Sequence, residues 1–158
     1  MGTSVSDVLL DPANRPRAVT TLTRVIHEEV AGKRGVSGRA VWAAYTAVRV
    51  MGRHLVADAT DQMLPDFTHA LDGLWATKGD ADFASHLVAH ADEAADALLA
   101  VTDAQARHSR HAALAVVYGR LRGHALEHVT AALPRLGRAI SSLMDDPHGP
   151  LAPGEALD

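Results

Sequence analysis

The chain has no cysteine, and that one absence removes disulfide frameworks, thiolate metal sites and cysteine nucleophiles together. Aromatic residues make up only 4% of it, so a core has to be assembled from small and aliphatic side chains at close contacts. No apolar run approaches the roughly 20 residues that a spanning helix needs, and the best of them, Ala40 to Met51, carries Arg49 within it. No basic segment followed by an apolar stretch stands at the N-terminus, so no secretory signal is expected and the expected location is cytoplasmic. Met1 to Ser6 does match the Met-Gly-x-x-x-Ser acylation pattern, a motif too short to be specific. There is no Gly-x-Ser-x-Gly elbow and no Gly-x-x-x-x-Gly-Lys loop, so the sequence shows neither a serine-hydrolase nor a P-loop pattern.

What remains is an Ala-, Leu- and Val-rich chain of 158 residues, the size of one domain and long enough for a core without staples. Such a composition favours helix. Its net charge of −4 is unevenly distributed: residues 1–14 carry −2, 15–53 carry +6, 54–103 carry −9, 104–144 carry +5 and 145–158 carry −4. Basic, acidic and basic blocks in succession are read as helices whose charged faces meet within the fold or across a homo-oligomer. A basic groove for an anionic partner is the alternative, and the acidic block argues against nucleic acid. Arg107, Arg110, Arg120, Arg122, Arg135 and Arg138 could follow a phosphate backbone, but neither stacking aromatics nor a helix-turn-helix pattern accompanies them.

Ten of the twelve residues in Ala40 to Met51 are apolar or aromatic, which predicts a helix covered on most sides, the central post of the domain. Arg39, Thr46, Arg49 and Arg53 fall on one stripe of it, expected to pair with carboxylates from residues 58 to 103; an open basic face there would instead favour an anionic partner. Around this post, Ser4 to Leu10 predicts a helical turn, and Asn14 a cap for a helix holding Val19, Leu22, Ile26 and Val30. Ser37 is a candidate cap for the post itself, and Gly52 marks a break. Leu64-Pro65 restarts a pattern that Gly79 ends, Asp80 or Asp82 caps the next helix, and Asp92-Glu93 opens another. Ser109 is a candidate cap for the last long pattern, within which Pro134 has to kink the helix or begin a new one. From Asp145 the chain turns rich in Pro and Gly and reads as a flexible tail, giving a helical domain over 1–144 and a tail over 145–158.

Leu64 to Trp75 can be laid on Leu133 to Met144 as Leu-Pro-x-apolar-x-x-Ala-apolar-x-x-Leu-apolar. A duplicated helical unit fits this echo, and so do two amphipathic helices that happen to open with Leu-Pro.

Histidine is abundant, ten residues in all. His124-Ala125-Leu126-Glu127-His128 is a literal His-x-x-Glu-His, the inverted zinc-protease motif, in which two His four apart share a helical face and could hold one metal ion. It lacks a third ligand in the usual place, since every acid after Glu127 lies at or beyond the start of the tail. His86 and His90 repeat the spacing, so a two-helix metal site of His86, His90, His124 and His128 is geometrically conceivable; solvated or core-edge histidines are the simpler reading. The loop Gly32 to Gly38 could present its amides to an anion, with Lys33 and Arg34 beside it, or simply connect two helices.

Leu9 to Pro16, Gly35 to Tyr45, Leu64 to Phe67, Ala95 to Ala104 and His128 to Gly137 occur in an order that resembles a family of small uncharacterised helical proteins found mainly in actinobacteria. The resemblance covers roughly residues 5 to 143 and implies an all-helical fold but no activity. Many of its members carry a Lys in the helix after the Ser-Gly pair, where this chain has Val41 and Trp42.

The expected fold is therefore all-α, one domain of about six to eight helices packed through Ala and Gly, with two related halves as an option. The leading functional expectation is a protein-interaction or structural domain rather than an enzyme, self-associating or bound to a protein partner, with no cofactor and no membrane or nucleic-acid partner. The alternative is a small-molecule or metal-binding domain, using the paired histidines or an apolar pocket between the helix of Trp42 and that of Phe67 and Trp75.

Overall fold

A computed structural model of the chain describes residues 2–32, 35–52, 54–108, 112–146 and 148–149; among them it forms seven helices and no strand. The first is short: α1 (Val5–Leu9) is held by a capping box in which Ser4 and Asp7 satisfy each other's backbone amides. Five residues cannot sustain a helix alone, and α1 is fixed from outside by Asp72, whose carboxylate accepts from the Ser6 amide at 2.9 Å and the Ser6 hydroxyl at 2.5 Å. The Asn14 side chain, expected to cap the next helix, instead donates to the Val8 carbonyl and ties the end of α1 down.

The long elements follow as α2 (Arg15–Gly32), α3 (Gly35–Met51), α4 (Leu55–Thr77), α5 (Phe83–Ala89), α6 (Ala91–His108) and α7 (Ala112–Asp145). The break at Gly52 is where it was expected. Gly79, at φ 58°, takes the left-handed conformation that terminates α4, and Asp82 caps α5 through the Ser85 amide. α3 begins at Gly35, two residues before Ser37, and the Ser37 side chain lies outside the described residues, as does Ser109. The expected tail, apart from Asp145, Asp146, His148 and Gly149, falls outside them too.

Neither proline divides its helix. Pro65 lies inside α4 and Pro134 inside α7. A proline leaves the carbonyl four residues earlier without its helical donor; for Pro65 that carbonyl is Asp61, and it accepts from the Arg15 guanidinium at 2.9 Å. For Pro134 it belongs to Thr130, an exposed residue whose surroundings admit water.

α7 packs against α1, α2, α3, α5 and α6. Leu9, Leu64, Leu71, Phe83, Leu87, Leu133 and Ile140 form the centre of the core, each almost wholly buried. The two Leu-Pro segments are alike in burial, Leu64, Leu71 and Leu74 matching Leu133, Ile140 and Leu143. α5 and α7 approach closely at Gly137, where an added Cβ would come within 2.4 Å of the Ala84 Cα.

The expected central post is a correction. α3 touches only α2, α4 and α7 to any extent, and Val48 is its one buried large hydrophobic residue among those described. Trp42, Val50 and Met51 are 47%, 83% and 51% exposed. Among the described residues the buried cluster is built from the other six helices and holds no residue of α3, which is left outermost.

The Arg stripe differs from expectation for the same reason. Arg39 and Arg49 are exposed and make no ion pair among the described residues, while Arg53 lies outside them. The basic and acidic blocks do meet within the fold, through other residues: Arg15 pairs with Asp61 at 2.7 Å and Arg122 with Asp103 at 2.8 Å, while Arg135 pairs with Glu28 and Glu29, the two acids of the first basic block, at 3.6 and 3.3 Å.

Candidate functional site

Val41, Ala44, Tyr45 and Val48 recur at three and four residues and so form one face of α3. That face roofs a cavity rather than closing on the helices beneath. Opposite it stand Ile26 and Val30 of α2, Val56, Ala59 and Met63 of α4, Ala106 of α6 and Ala115, Tyr118 and Leu121 of α7, enclosing a lobe of about 280 Å³. A second lobe of about 270 Å³ lies deeper, among Leu22, Val25, Leu64, Phe67, Leu98, Val129 and Leu136. Ile26, Val30, Val41, Thr60, Met63 and Thr102 line both lobes and mark the waist along which the two adjoin. Together the lobes fall within the range of small-molecule sites, about 300–1,000 Å³.

The space follows from composition. Ala44, Ala59, Ala106, Ala115 and Ala132 line it and end at Cβ, and few aromatics are available to fill what they leave. Of the three aromatic residues expected to border a pocket, only Phe67 does so. Trp42 is on the outer face of α3, and Trp75 packs edge-on against Phe83, ring centres 5.0 Å apart.

The polar groups of the walls are engaged with one another. The Thr60 hydroxyl donates to the Val56 carbonyl at 2.7 Å, and that of Thr102 lies 3.0 Å from the Leu99 carbonyl. Tyr118 donates to the Asp103 carboxylate at 2.7 Å, and its oxygen lies 2.8 Å from that of Thr102, whose one proton serves either Tyr118 or the Leu99 carbonyl. Gln105 donates to Gln62 at 3.0 Å, and the Tyr45 hydroxyl lies 3.2 Å from the His27 ring nitrogen. Glu29, at the edge of the deeper lobe, is paired with Arg135.

Burial raises the pKa of both Tyr45 and Tyr118 above the ordinary phenol value. At Tyr45 the Arg49 guanidinium opposes this; it lies over the ring, 5.9 Å from its centre. Asp103 is lowered, first by its hydrogen bond from Arg122 and then by that from Tyr118.

Two of the four histidines proposed as metal ligands come together. The His86 and His90 rings are 4.3 Å apart; His86 Nε2 lies 3.1 Å from the Thr77 hydroxyl, and His90 Nδ1 lies 3.0 Å from the His86 carbonyl, to which it donates. His124 is exposed, and His128 is half-buried at the wall of the deeper lobe. Among the described residues no group of three or more His, Asp or Glu side chains is placed to hold a metal ion. Lys33 and Arg34 lie outside the described residues.

One cluster had no signal in the sequence. Asp72 sits between Ser6 and His69, 3.5 Å from His69 Nδ1. The order matters: a hydrolytic triad places the imidazole next to the hydroxyl so that it can take the proton, whereas here the carboxylate separates them. The cluster anchors α1.

An all-α domain with an apolar two-lobed cavity under its outermost helix is thus the class of protein that fold and site define. The chain belongs to a family of unknown function (DUF6918), whose pattern it matches over residues 5–144. No curated protein and no solved structure matches it. No helix among the described residues is long and apolar enough to cross a membrane.

Proposed function

We propose that the protein is a binding domain for a small apolar molecule, held in the cavity beneath α3. The observation that carries this reading is a pair of apolar lobes that adjoin beneath α3 and share six lining residues. An empty apolar void of one lobe's size costs on the order of 6 kcal/mol at ~24 cal/mol per Å³ when it is sealed, a large share of a typical domain's stability. An open mouth admits water and reduces that cost, but the walls offer water few free partners. Occupation by an apolar molecule relieves it.

The test is native mass spectrometry of protein purified without detergent, before and after incubation with apolar probes. A stoichiometric adduct is expected; bare polypeptide under both conditions overturns the reading.

A second reading, self-association, is favoured by one observation: α3 leaves Trp42, Val50 and Met51 exposed. Large apolar side chains left exposed on one helix suit a contact site. Sedimentation of the protein and of its Val50→Lys variant tests it. A concentration-dependent dimer that the variant abolishes supports the reading, and a monomer at every concentration removes it.

A further inference from the structure

We propose that the cavity takes the tail of a single-chain anionic amphiphile, a long-chain carboxylate, whose head remains at the surface of α3 beside Arg49; this rests on the reading of the cavity as a binding site. The walls exclude polar groups from the body of the ligand, because the hydroxyls of Thr60, Thr102 and Tyr118 and the amide of Gln105 are committed to partners within the protein. A ligand hydroxyl or amide buried among them would lose its hydrogen bonds to water and find few in exchange, since the wall donors are already engaged. The part of the ligand inside is therefore hydrocarbon, and any polar group lies at its end.

Shape selects a chain over a fused ring system. Two lobes of about 280 and 270 Å³ that adjoin at a shared waist suit a flexible chain able to extend from one into the other, whereas a rigid body sized to one lobe leaves the other empty.

Charge selects the head. Tyr45 lines the lobe under α3, and the Arg49 guanidinium lies over its ring, exposed and with no carboxylate partner among the described residues. Arg39 is exposed on the same helix. Among the described residues no Lys or Arg lines the far lobe, and Arg135, which meets its wall through Glu29, is already paired with Glu28 and Glu29. An anionic head at Arg49 leaves its tail pointing past Tyr45 toward the waist.

The experiment is calorimetric titration of the full chain with dodecanoate, dodecanol and dodecylammonium, each below its aggregation concentration, repeated on Arg49→Gln and on Ala44→Phe, with circular dichroism to confirm that both variants fold. Dodecanoate is expected to bind one per chain and more tightly than either of the others. Arg49→Gln lowers dodecanoate affinity about fivefold more than dodecanol affinity, the size an exposed ion pair supports, and Ala44→Phe, which fills the lobe under α3, weakens both. Dodecanol binding as tightly as dodecanoate, or equal losses for the two in Arg49→Gln, overturns the anionic head and leaves the cavity reading standing. No binding of any of the three overturns the cavity reading itself.

Discussion

Arg15 donates twice to Asp61, to its carboxylate at 2.7 Å and to its main-chain carbonyl at 2.9 Å. That carbonyl is the one whose helical donor Pro65 removes, so a residue at the start of α2 completes the hydrogen bonding of α4 and joins the two helices in doing so. The two residues should therefore be coupled in stability. Arg15→Ala is expected to cost about 1 kcal/mol in urea denaturation, as a partly exposed charge-assisted pair does. In a Pro65→Ala background, where the helical N–H is restored, the same change should cost less. Equal costs in the two backgrounds would show that the carbonyl contact is energetically silent.

Glycines in helices divide sharply by environment. Gly137→Ala places a methyl group against the backbone of Ala84, which cannot move aside as a side chain end can; a loss of about 1–3 kcal/mol is expected from overpacking. Gly123→Ala on the same helix meets nothing within 4 Å, so it should gain up to about 1 kcal/mol from helix propensity. Thermal unfolding of the two variants should move in opposite directions.

The long alternating patterns in α4 and α7 were legible because burial on one face imposes a period that the sequence has to keep. The caps at Asp82 and Gly79 were legible too, since they are local chemistry. The position of α3 was not. Its composition reports how apolar the helix is, but which helix lies outermost depends on how well the others close without it, a property of packing that no single stretch records. A pocket between α3 and α4 was an option in the sequence, but the rest of the cavity was not legible: its walls combine Ala, Val and Thr from five helices, and a row of small residues reads equally as close contact, which Gly137 makes with Ala84, or as empty space, which Ala59 and Ala106 leave. Arg49 was singled out for its place on a stripe; what the structure adds is that no carboxylate meets it among the described residues and that it covers Tyr45.

Acid should weaken the α6–α7 hairpin through Asp103. Its hydrogen bonds from Arg122 and Tyr118 hold the folded pKa below the ordinary value. A depressed carboxylate pKa contributes stability that is fully present above the unfolded value, near 4, and is lost as pH falls through the folded one. Asp7 and Asp82 are lowered by their capping bonds to Ser4 and Ser85 and act in the same window. Asp103→Asn is expected to be less stable than the parent at neutral pH and to lose less on acidification below about pH 4. Parallel curves of unfolding free energy against pH for the two proteins would contradict this.

Tyr45 reports on the cavity mouth. Its phenol is raised by burial and pulled back by Arg49, because a nearby cation favours the phenolate. Removing the cation in Arg49→Gln should therefore raise the Tyr45 pKa further, seen as a later phase in the near-ultraviolet absorbance titration. Tyr118 is the internal control, since its charged neighbours are Asp103 and Arg122 rather than Arg49, and its transition should stay in place. Ligand binding extends the logic. A neutral chain in the cavity raises both phenols by displacing water, with Arg49 still opposing at Tyr45, whereas a carboxylate seated beside Arg49 also offsets that cation and moves Tyr45 by more than the neutral chain does. Equal movement of Tyr45 with dodecanol and with dodecanoate would place the carboxylate away from Arg49.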